Sequence, residues 1–410
     1  MKKNMLWNAA GNLIYLGCQW LVTVLVTVLG NFGDAGLLSI AMSISATFQT
    51  VAMFGIRNYQ VSDVENKYTD TCYVHLRLIT CAAALLGCMG FAVICRYERV
   101  TLLCVFFFML FRLAENFSDV LHGIAQKNDR LDIAGKAFAI KGIGLLAVFC
   151  GTYVAVKELY AGLAAMAAFS LLTTVCYDFF AVRRLSSFRL MQRGSNWLRL
   201  GMETLPLCAY LFLSAAIATA PKLLLEKQCG EDLLGAYSSI FAPAMLIQAA
   251  MGYVYTPFAQ VLGVKRKDRD TRGFVRLSLQ IAGVILVLAA VMTVAAYFLG
   301  DFLLIRLFGE KIRPYTTLLI PILFSIIAIS FFGFLSMISI VLRDFIGLLL
   351  GCAVGFLIAI VLTPSMITAY SANGASYGLI LSTCVAAVIL IVGIARKLTL
   401  KKYDEKEKTL

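Results

Sequence analysis

Four side chains that can bind or balance charge stand at helical spacing inside an apolar segment, residues 100–123. They are Arg112, Glu115, Asp119 and His122, at positions i, i+3, i+7 and i+10. At 100° per residue they project within about 80° of one another, so a helix carries them as one polar stripe. Guanidinium groups bind phosphate and carboxylate oxygens bidentately, and carboxylates balance such cations or couple a proton or sodium ion. Such side chains are candidates for binding or balancing charge inside a membrane.

More charged side chains occupy the neighbouring apolar segments. Arg77 lies near the start of one segment, and Lys136 and Lys141 lie inside another. An ionised residue near the centre of a membrane span costs roughly 2.5–3.5 kcal/mol on insertion scales, so it should face protein or water rather than lipid. The stripe then either lines a water-filled cavity or forms an internal ion-pair network, and the sequence leaves both readings open.

The first apolar segment carries an uncharged polar stripe, made of Asn8, Asn12, Tyr15 and Gln19. Their spacing places them within about 60° of one another on a helix. Amides between membrane helices often hold those helices together through hydrogen bonds. They also suit the wall of a polar cavity, so Asn12 and Gln19 are candidates for either role.

The elements that must position these side chains are membrane spans. Of the 410 residues, 60% are hydrophobic and 14% are charged, and the mean hydropathy is +0.85. A soluble domain has about 25% charged residues. The apolar segments recur along the whole chain, and each is long enough to cross about 30 Å of hydrocarbon as a helix. We expect an all-α, polytopic integral membrane protein with about twelve transmembrane helices.

Positive charge between the spans predicts their orientation. The even-numbered connections are rich in Arg and Lys, whereas most odd-numbered ones are poor in them. Because cytoplasmic loops carry the excess of Lys and Arg, both termini should lie in the cytoplasm. The seventh connection fits less well, since it is assigned both Lys222 and Lys227. Topology thus accounts for the net charge of +13, and no nucleic-acid partner is expected.

A long basic connection divides the chain into two sets of six spans. We expect a six-helix lobe over 1–182, a basic cytoplasmic linker over 183–202, a second six-helix lobe over 203–396 and a charged cytoplasmic tail over 397–410. Leu185, Phe188 and Trp197 in and beside the linker could seat among lipid headgroups. A shift of 199 residues aligns Gly36, Ser39 and Gln49 with Gly235, Ser238 and Gln248, which favours an internal duplication.

Two segments resemble a known family. They are residues 55–63, with the sequence GIRNYQVSD and with Asn8, Gly11 and Asn12 upstream, and residues 112–136, with the stripe, Gln126 and the run from Arg130 to Lys136. Both are similar to bacterial polysaccharide-biosynthesis membrane proteins, the Wzx-like oligosaccharide flippases of the MOP (multidrug/oligosaccharidyl-lipid/polysaccharide) transporter superfamily.

The resemblance implies two six-helix lobes around a central cavity, in a multi-pass protein of the bacterial cytoplasmic membrane. It also implies transport of an undecaprenyl-pyrophosphate-linked oligosaccharide across that membrane by alternating access. The partners would be this lipid-linked oligosaccharide, membrane lipids and a polysaccharide polymerase. On this reading Arg77, Arg112, Lys136 and Lys141 attract the pyrophosphate or acidic sugars. Glu115 and Asp119 would balance these cations or couple H⁺ or Na⁺.

Two questions stay open on the sequence alone. Arg57 and Asp63, at the cytoplasmic end of the second span, could form a gate or merely anchor a loop. The function could also be that of a drug or cation antiporter of the same superfamily, or of a membrane-embedded glycan polymerase or ligase. An enzyme is not expected, because HExxH, GxSxG and P-loop motifs are missing and the connections are short. No cofactor or metal is expected either.

Overall fold

The computed structural model describes residues 2–63, 67–190 and 196–407, and within them every regular element is helical. Twelve of the helices are long and apolar enough to cross a membrane. This confirms the expected all-α, polytopic class and the predicted number of spans. The chain divides into two compact units, Met1–Ala215 and Ala216–Leu410, and the boundary lies within one long helix.

The helices of the first unit, in chain order, are α1 (Lys2–Leu29), α2 (Phe32–Met53), α3 (Ile56–Ser62), α4 (Asp70–Ile94), α5 (Arg99–Lys127), α6 (Leu131–Val156), α7 (Leu159–Thr173), a π-helical turn (Thr174–Phe179) and α8 (Phe180–Arg183). The boundary helix is α9 (Trp197–Cys229). The second unit continues with α10 (Glu231–Tyr255), α11 (Phe258–Lys267), α12 (Thr271–Phe308), a 3₁₀ segment (Glu310–Leu318), α13 (Leu319–Val341), α14 (Phe345–Tyr370) and α15 (Ala372–Glu407).

Capping side chains fix where several spans begin. Asn31 accepts a hydrogen bond from the backbone N–H of Asp34 at 2.7 Å and so starts α2. Asp270 accepts from the backbone N–H of Gly273 at 2.8 Å and starts α12 in the same way. The first N–H groups of a helix have no partner within the helix, so a side-chain acceptor satisfies one of them.

A turn between α2 and α3 prepares the polar site described below. Phe54 and Gly55 both have positive φ, 50° and 67°, which ends α2 and restarts the chain as α3. The carbonyl of Ala52 belongs to the last turn of α2, where carbonyl groups lack partners within the helix. It is therefore free to accept hydrogen bonds from side chains of α4.

Helices α1 and α6 approach closely because glycines face each other. A Cβ on Gly11 would overlap the backbone of Gly135, and a Cβ on Gly142 would lie 2.9 Å from the Cα of Tyr15. Small residues allow membrane helices to pack backbone against backbone. In the second unit, Gly351 and Gly355 of α14 bring that helix against Ala386 of α15 in a similar way.

The segment after α8 packs onto protein rather than projecting among headgroups. Phe188 is only 6% exposed and belongs to an apolar cluster with Tyr73, Leu121 and Ile124. Leu185 and Trp197 pack against the same cluster. The expectation that Phe188 seats in lipid headgroups was therefore wrong, because the ends of α4 and α5 offer it a protein surface. The middle of the linker, residues 191–195 with Arg193, lies outside the described residues.

A second correction concerns the seventh connection. Lys222 lies inside α9, seven residues before the helix ends at Cys229. The apolar run continues beyond Lys222 as three leucines, and the helix continues with it. The connection between α9 and α10 consists of Gly230 alone, with φ of 86°.

Gly11→Ala should destabilise the first unit, because its methyl group must push α1 away from the backbone of Gly135. Overpacking of this kind costs about 1–3 kcal/mol. Gly17→Ala on the same helix is the matched control, since a Cβ there meets nothing within 4 Å. The control should be neutral or slightly stabilising, as alanine favours helix over glycine. Thermal unfolding of the purified proteins measures both. Equal melting temperatures for the two variants would contradict the close approach.

Candidate functional site

The carboxylate of Asp119 on α5 is shared by two arginines from other helices. Arg57 Nη1 of α3 lies 2.7 Å from Asp119 Oδ1, and Arg77 Nη2 of α4 lies 3.0 Å from Asp119 Oδ2. The Arg77 side chain is fully buried, whereas those of Arg57 and Asp119 are 26% and 16% exposed. One carboxylate thus holds three helices together. It also balances only one of two positive charges.

Each arginine also donates to an acceptor other than Asp119, whereas Arg77 Nε has no partner among the described residues. Arg77 Nη1 donates to the carbonyl of Ala52 at 2.7 Å, and Thr80 Oγ1 donates to the same carbonyl at 2.9 Å. Arg57 Nη2 donates to Gln126 Oε1 at 3.2 Å. Hence the turn after α2 and the last turns of α5 set the positions of both guanidinium groups. Gln126 belongs to the segment that carries the family resemblance but was not predicted as a site residue.

A second buried cluster joins α5, α6 and the π-helical turn. Asp178 is fully buried, with Lys141 Nζ at 2.7 Å from its Oδ2 and His122 Nε2 at 3.1 Å from its Oδ1. Lys141 and His122 are 3% and 1% exposed in their side chains. The sequence analysis missed Asp178. Its position inside an apolar span was the available signal, since an ionisable residue there needs a partner.

Hydroxyl groups complete this cluster. Ser118 Oγ and Thr174 Oγ1 are 2.8 Å apart, and Lys141 Nζ donates to both, at 3.1 Å to Thr174. Thr174 and Asp178 are the first and fifth residues of the π-helical turn. Such a turn is a local widening of the helix that recurs at functional sites. The ammonium of Lys141 therefore has three oxygen acceptors inside the protein.

The first two members of the stripe pair with each other. Arg112 Nη1 lies 2.9 Å from Glu115 Oε2, and the guanidinium carbon lies 5.1 Å and 5.3 Å from the ring centroids of Phe108 and Phe111. The side chains of Arg112 and Glu115 are 22% and 14% exposed, respectively. Aromatic faces stabilise a guanidinium group in a poorly hydrated place.

Each member of the stripe thus has an oppositely charged or hydrogen-bonding partner, but the partners lie on different elements. Asp119 pairs with arginines of α3 and α4, whereas His122 joins the cluster of α6 and the π-helical turn. Arg112 and Glu115 remain on α5. The contacts are those of an internal ion-pair network, part of which stays exposed. Lining of a cavity by this exposed part stays a prediction.

Lys136 lies apart from both clusters. Its ammonium is 3.5 Å from Asp132 Oδ2 and 6.0 Å from the ring centroid of Trp7, and 46% of its side chain is exposed. Arg130 Nε also pairs with Asp132, at 2.8 Å. These residues form a group at the start of α6.

The uncharged stripe of α1 contains several buried polar atoms that no described residue satisfies. They include Asn8 Oδ1, Tyr15 Oη and Gln19 Nε2, while Asn12 is half-buried. Buried polar atoms in proteins nearly always have a partner, which is often an ordered water. This pattern favours the cavity-lining interpretation for Gln19, and the role of Asn12 stays a prediction.

The loop between α3 and α4 is held by two carboxylates. Asp63 accepts hydrogen bonds from the backbone N–H groups of Lys67 and Tyr68, at 2.8 Å and 3.0 Å, and from Tyr73 Oη at 2.8 Å. Glu203, near the start of α9, accepts from Lys67 Nζ at 2.8 Å and from Tyr68 Oη at 3.0 Å. Asp63 therefore anchors this loop. A gating role for Arg57 and Asp63 stays a prediction, and Glu203 was not anticipated.

Asp119→Asn should destabilise the protein strongly, because it leaves the buried Arg77 guanidinium without a counter-charge. Removing one partner of a buried ion pair costs about 3–5 kcal/mol. Asp129→Asn is the control, since Asp129 is exposed, stands two residues past the end of α5, and has a φ of 57° that asparagine tolerates. Thermal unfolding should show a large loss for the first variant and almost none for the second. A melting temperature unchanged by Asp119→Asn would show that this ion pair does not stabilise the fold.

Acid should release the loop between α3 and α4. Burial alone would raise the pKa of Asp63, but the hydrogen bonds from Tyr68, Lys67 and Tyr73 outweigh it and hold that pKa below its ordinary value. The stabilisation is therefore present above the ordinary pKa of about 4 and is lost as the pH falls through the lowered one. Hydrogen-exchange protection of the Lys67 and Tyr68 amides should fall in this range. Protection that persists after the carboxylate is protonated would contradict the assignment.

No protein-family model matches the chain. It is 23% identical over 332 residues to the capsular polysaccharide biosynthesis protein CapF of Staphylococcus aureus, which covers 80% of this chain and 83% of that protein.

Solved structures resemble the whole chain. The lipid II flippase MurJ in an inward closed conformation has a TM-score of 0.70 at 11% identity, covering 97% of this chain and 89% of that one. An inward-facing multidrug resistance MATE family transporter of the MOP superfamily has a TM-score of 0.67 at 13% identity, covering 97% and 96%. At these identities the likeness shows the fold. The chain has the fold of the MOP superfamily transporters, as its sequence resemblance predicted.

Proposed function

We propose that the chain is a flippase for a lipid-linked oligosaccharide, carrying an undecaprenyl-pyrophosphate glycan across the bacterial cytoplasmic membrane by alternating access. The glycan would serve export of a cell-surface polysaccharide. The MOP fold and the distant similarity to a capsular polysaccharide biosynthesis protein support this class of substrate. Both termini would lie in the cytoplasm, and a polysaccharide polymerase would receive the product.

The observation that carries the proposal is the excess positive charge of the Arg57, Asp119 and Arg77 group. Two guanidinium groups share one carboxylate, so the group has a formal charge of +1. Arg57 is its most exposed member. Its side chain is 26% exposed, and guanidinium groups bind phosphate oxygens bidentately. A pyrophosphate carries the complementary charge and geometry.

A cationic substrate fits these residues less well. Glu115, Asp119 and Asp178 are the carboxylates of the two clusters and the stripe, and each already pairs with an arginine or a lysine. A drug or cation would have to displace those partners and leave buried positive charge behind. The drug/cation antiporter reading is therefore the weaker alternative.

Ion coupling is assigned to Glu115 rather than to Asp119. Protonation of Asp119 would leave the buried Arg77 without a counter-charge, whereas Arg112 is partly exposed and lies against two aromatic rings. Release of Glu115 would thus cost less than release of Asp119. A proton or a sodium ion taken up at Glu115 would supply the driving force.

The test is reconstitution of the full chain in liposomes with a fluorescent lipid-linked oligosaccharide, followed by measuring its accessibility in each leaflet. The wild-type protein should accelerate exchange between leaflets. Arg57→Gln should reduce the rate about tenfold or more, because a charged hydrogen bond to the pyrophosphate is lost. Asp119 keeps Arg77 as its partner, so this variant should still fold.

Arg184→Gln is the control for this experiment. Arg184 is exposed at the end of α8, in a connection predicted to lie on the same side of the membrane as Arg57. Its loss should change the rate by less than about twofold, as expected for a solvated charge. Absence of any acceleration by folded wild-type protein, over several glycan donors, would refute the flippase proposal.

A further inference from the structure

One cation of the second unit lies within a membrane span and against an aromatic ring. Lys222 lies within the span formed by α9 and is half-buried. Its ammonium nitrogen lies 3.7 Å from the centroid of the Phe241 ring, on α10. Within the part of the chain that the structure describes, no carboxylate pairs with Lys222 and no oxygen accepts a hydrogen bond from it.

A lysine near the end of a span usually extends its ammonium to the water at the membrane surface. Lys222 does the opposite. Phe241 is the eleventh residue of α10, about 15 Å along the helix axis from Glu231 at 1.5 Å per residue. The ammonium lies against that ring, within the span rather than beyond its end.

The ring under Lys222 is held rigidly. Phe241 is 4% exposed and stacks on Tyr237, with ring centroids 5.9 Å apart and an interplanar angle of 29°. The hydroxyl of Tyr237 hydrogen-bonds Ser376 of α15 at 3.0 Å. Helices α10 and α15 thus fix the ring on which the ammonium lies. The positive charge has a defined position rather than a mobile one.

Cation–π attraction offsets only part of the cost of an unpaired charge in a membrane span. A methionine would fill the same space without that cost. The charge is therefore expected to serve a function rather than packing. The three N–H donors of the ammonium are not bound to protein oxygens among the described residues. By contrast, Lys141 donates to Ser118, Thr174 and Asp178.

We propose that Lys222 binds the phosphate or pyrophosphate group of the transported ligand, with Phe241 positioning the ammonium. This inference rests on the proposed function and names a substrate contact in the second unit. The phosphate oxygens accept hydrogen bonds from the three free N–H groups of Lys222. The negative charge of the phosphate neutralises the ammonium while the ligand is bound. The same chemistry would suit a lipid-borne pyrophosphate or free inorganic pyrophosphate.

The experiment measures equilibrium binding of radiolabelled undecaprenyl pyrophosphate to the full chain in nanodiscs of neutral lipid. Lys222→Gln removes the charge, and Lys222→Arg keeps it. Lys227→Gln is the matched control, because Lys227 lies on the same helix but is exposed near its end. Unlabelled inorganic pyrophosphate and undecaprenol are the competitors that separate the anion from the lipid.

Lys222→Gln should weaken binding about tenfold or more, as expected when one partner of a desolvated charge pair is truncated. Lys227→Gln should change affinity by less than about twofold, and Lys222→Arg should retain most of it. Competition by inorganic pyrophosphate means that the free anion suffices. Competition failing for both competitors means that the lipid and its pyrophosphate are needed together. Either result supports Lys222 if the variants differ as stated.

Unchanged affinity in folded Lys222→Gln would overturn the inference. So would undecaprenol that displaces the radiolabelled ligand as well as unlabelled undecaprenyl pyrophosphate does. If the glutamine variant does not fold, Lys222→Met keeps the apolar stem over Phe241 and replaces it in the comparison. Exchange of the lipid-linked oligosaccharide between leaflets is measured separately, in liposomes. If binding depends on Lys222 but no leaflet exchange occurs, the proposed flippase function fails and the anion site remains.

Discussion

Neutralisation of charge within the membrane spans is the constraint on which the first unit depends. Arg77 is fully buried, and its nearest counter-charge, Asp119, comes from another helix. Lys141 is in the same position with respect to Asp178. Low-dielectric surroundings make such charges costly when alone and strongly attracted when paired. The pairs therefore hold α3, α4, α5, α6 and the π-helical turn in one arrangement. The charges that suggest chemistry are thus also the cross-links of the fold.

This double role changes which residues are available to a ligand. Arg77 and Lys141 have their charge balanced by carboxylates within the protein, so a phosphate would have to displace those partners. Arg57 differs from Arg77, with which it shares Asp119, because its side chain is 26% exposed. Lys222 differs further, because a ring rather than a carboxylate lies beside it. These differences favour the proposed anion contacts at Arg57 and Lys222 over contacts at Arg77 and Lys141.

The sequence predicted the class of fold and the helix that carries the site, because both follow from local periodicity. Apolar segments of the right length predict spans, and a spacing of three and four residues predicts a stripe on α5. Pairing across helices has no such signature. Nothing in the spacing of residues 112–122 indicates that Asp119 and His122 point to different neighbours. Asp178 was missed because it belongs to no stripe of charged residues. Lys222 was misplaced because the charged residues that follow it resemble a loop.

The most direct test of this account is a cryo-electron microscopy structure of the full chain in nanodiscs with undecaprenyl pyrophosphate bound. The account predicts phosphate density within hydrogen-bonding distance of Arg57 or Lys222, with Asp119 still between Arg57 and Arg77 and Asp178 still on Lys141. Phosphate density on Arg77 or Lys141, with either aspartate displaced, would contradict it. That result would mean that the buried pairs open to receive the ligand and are not cross-links of the fold.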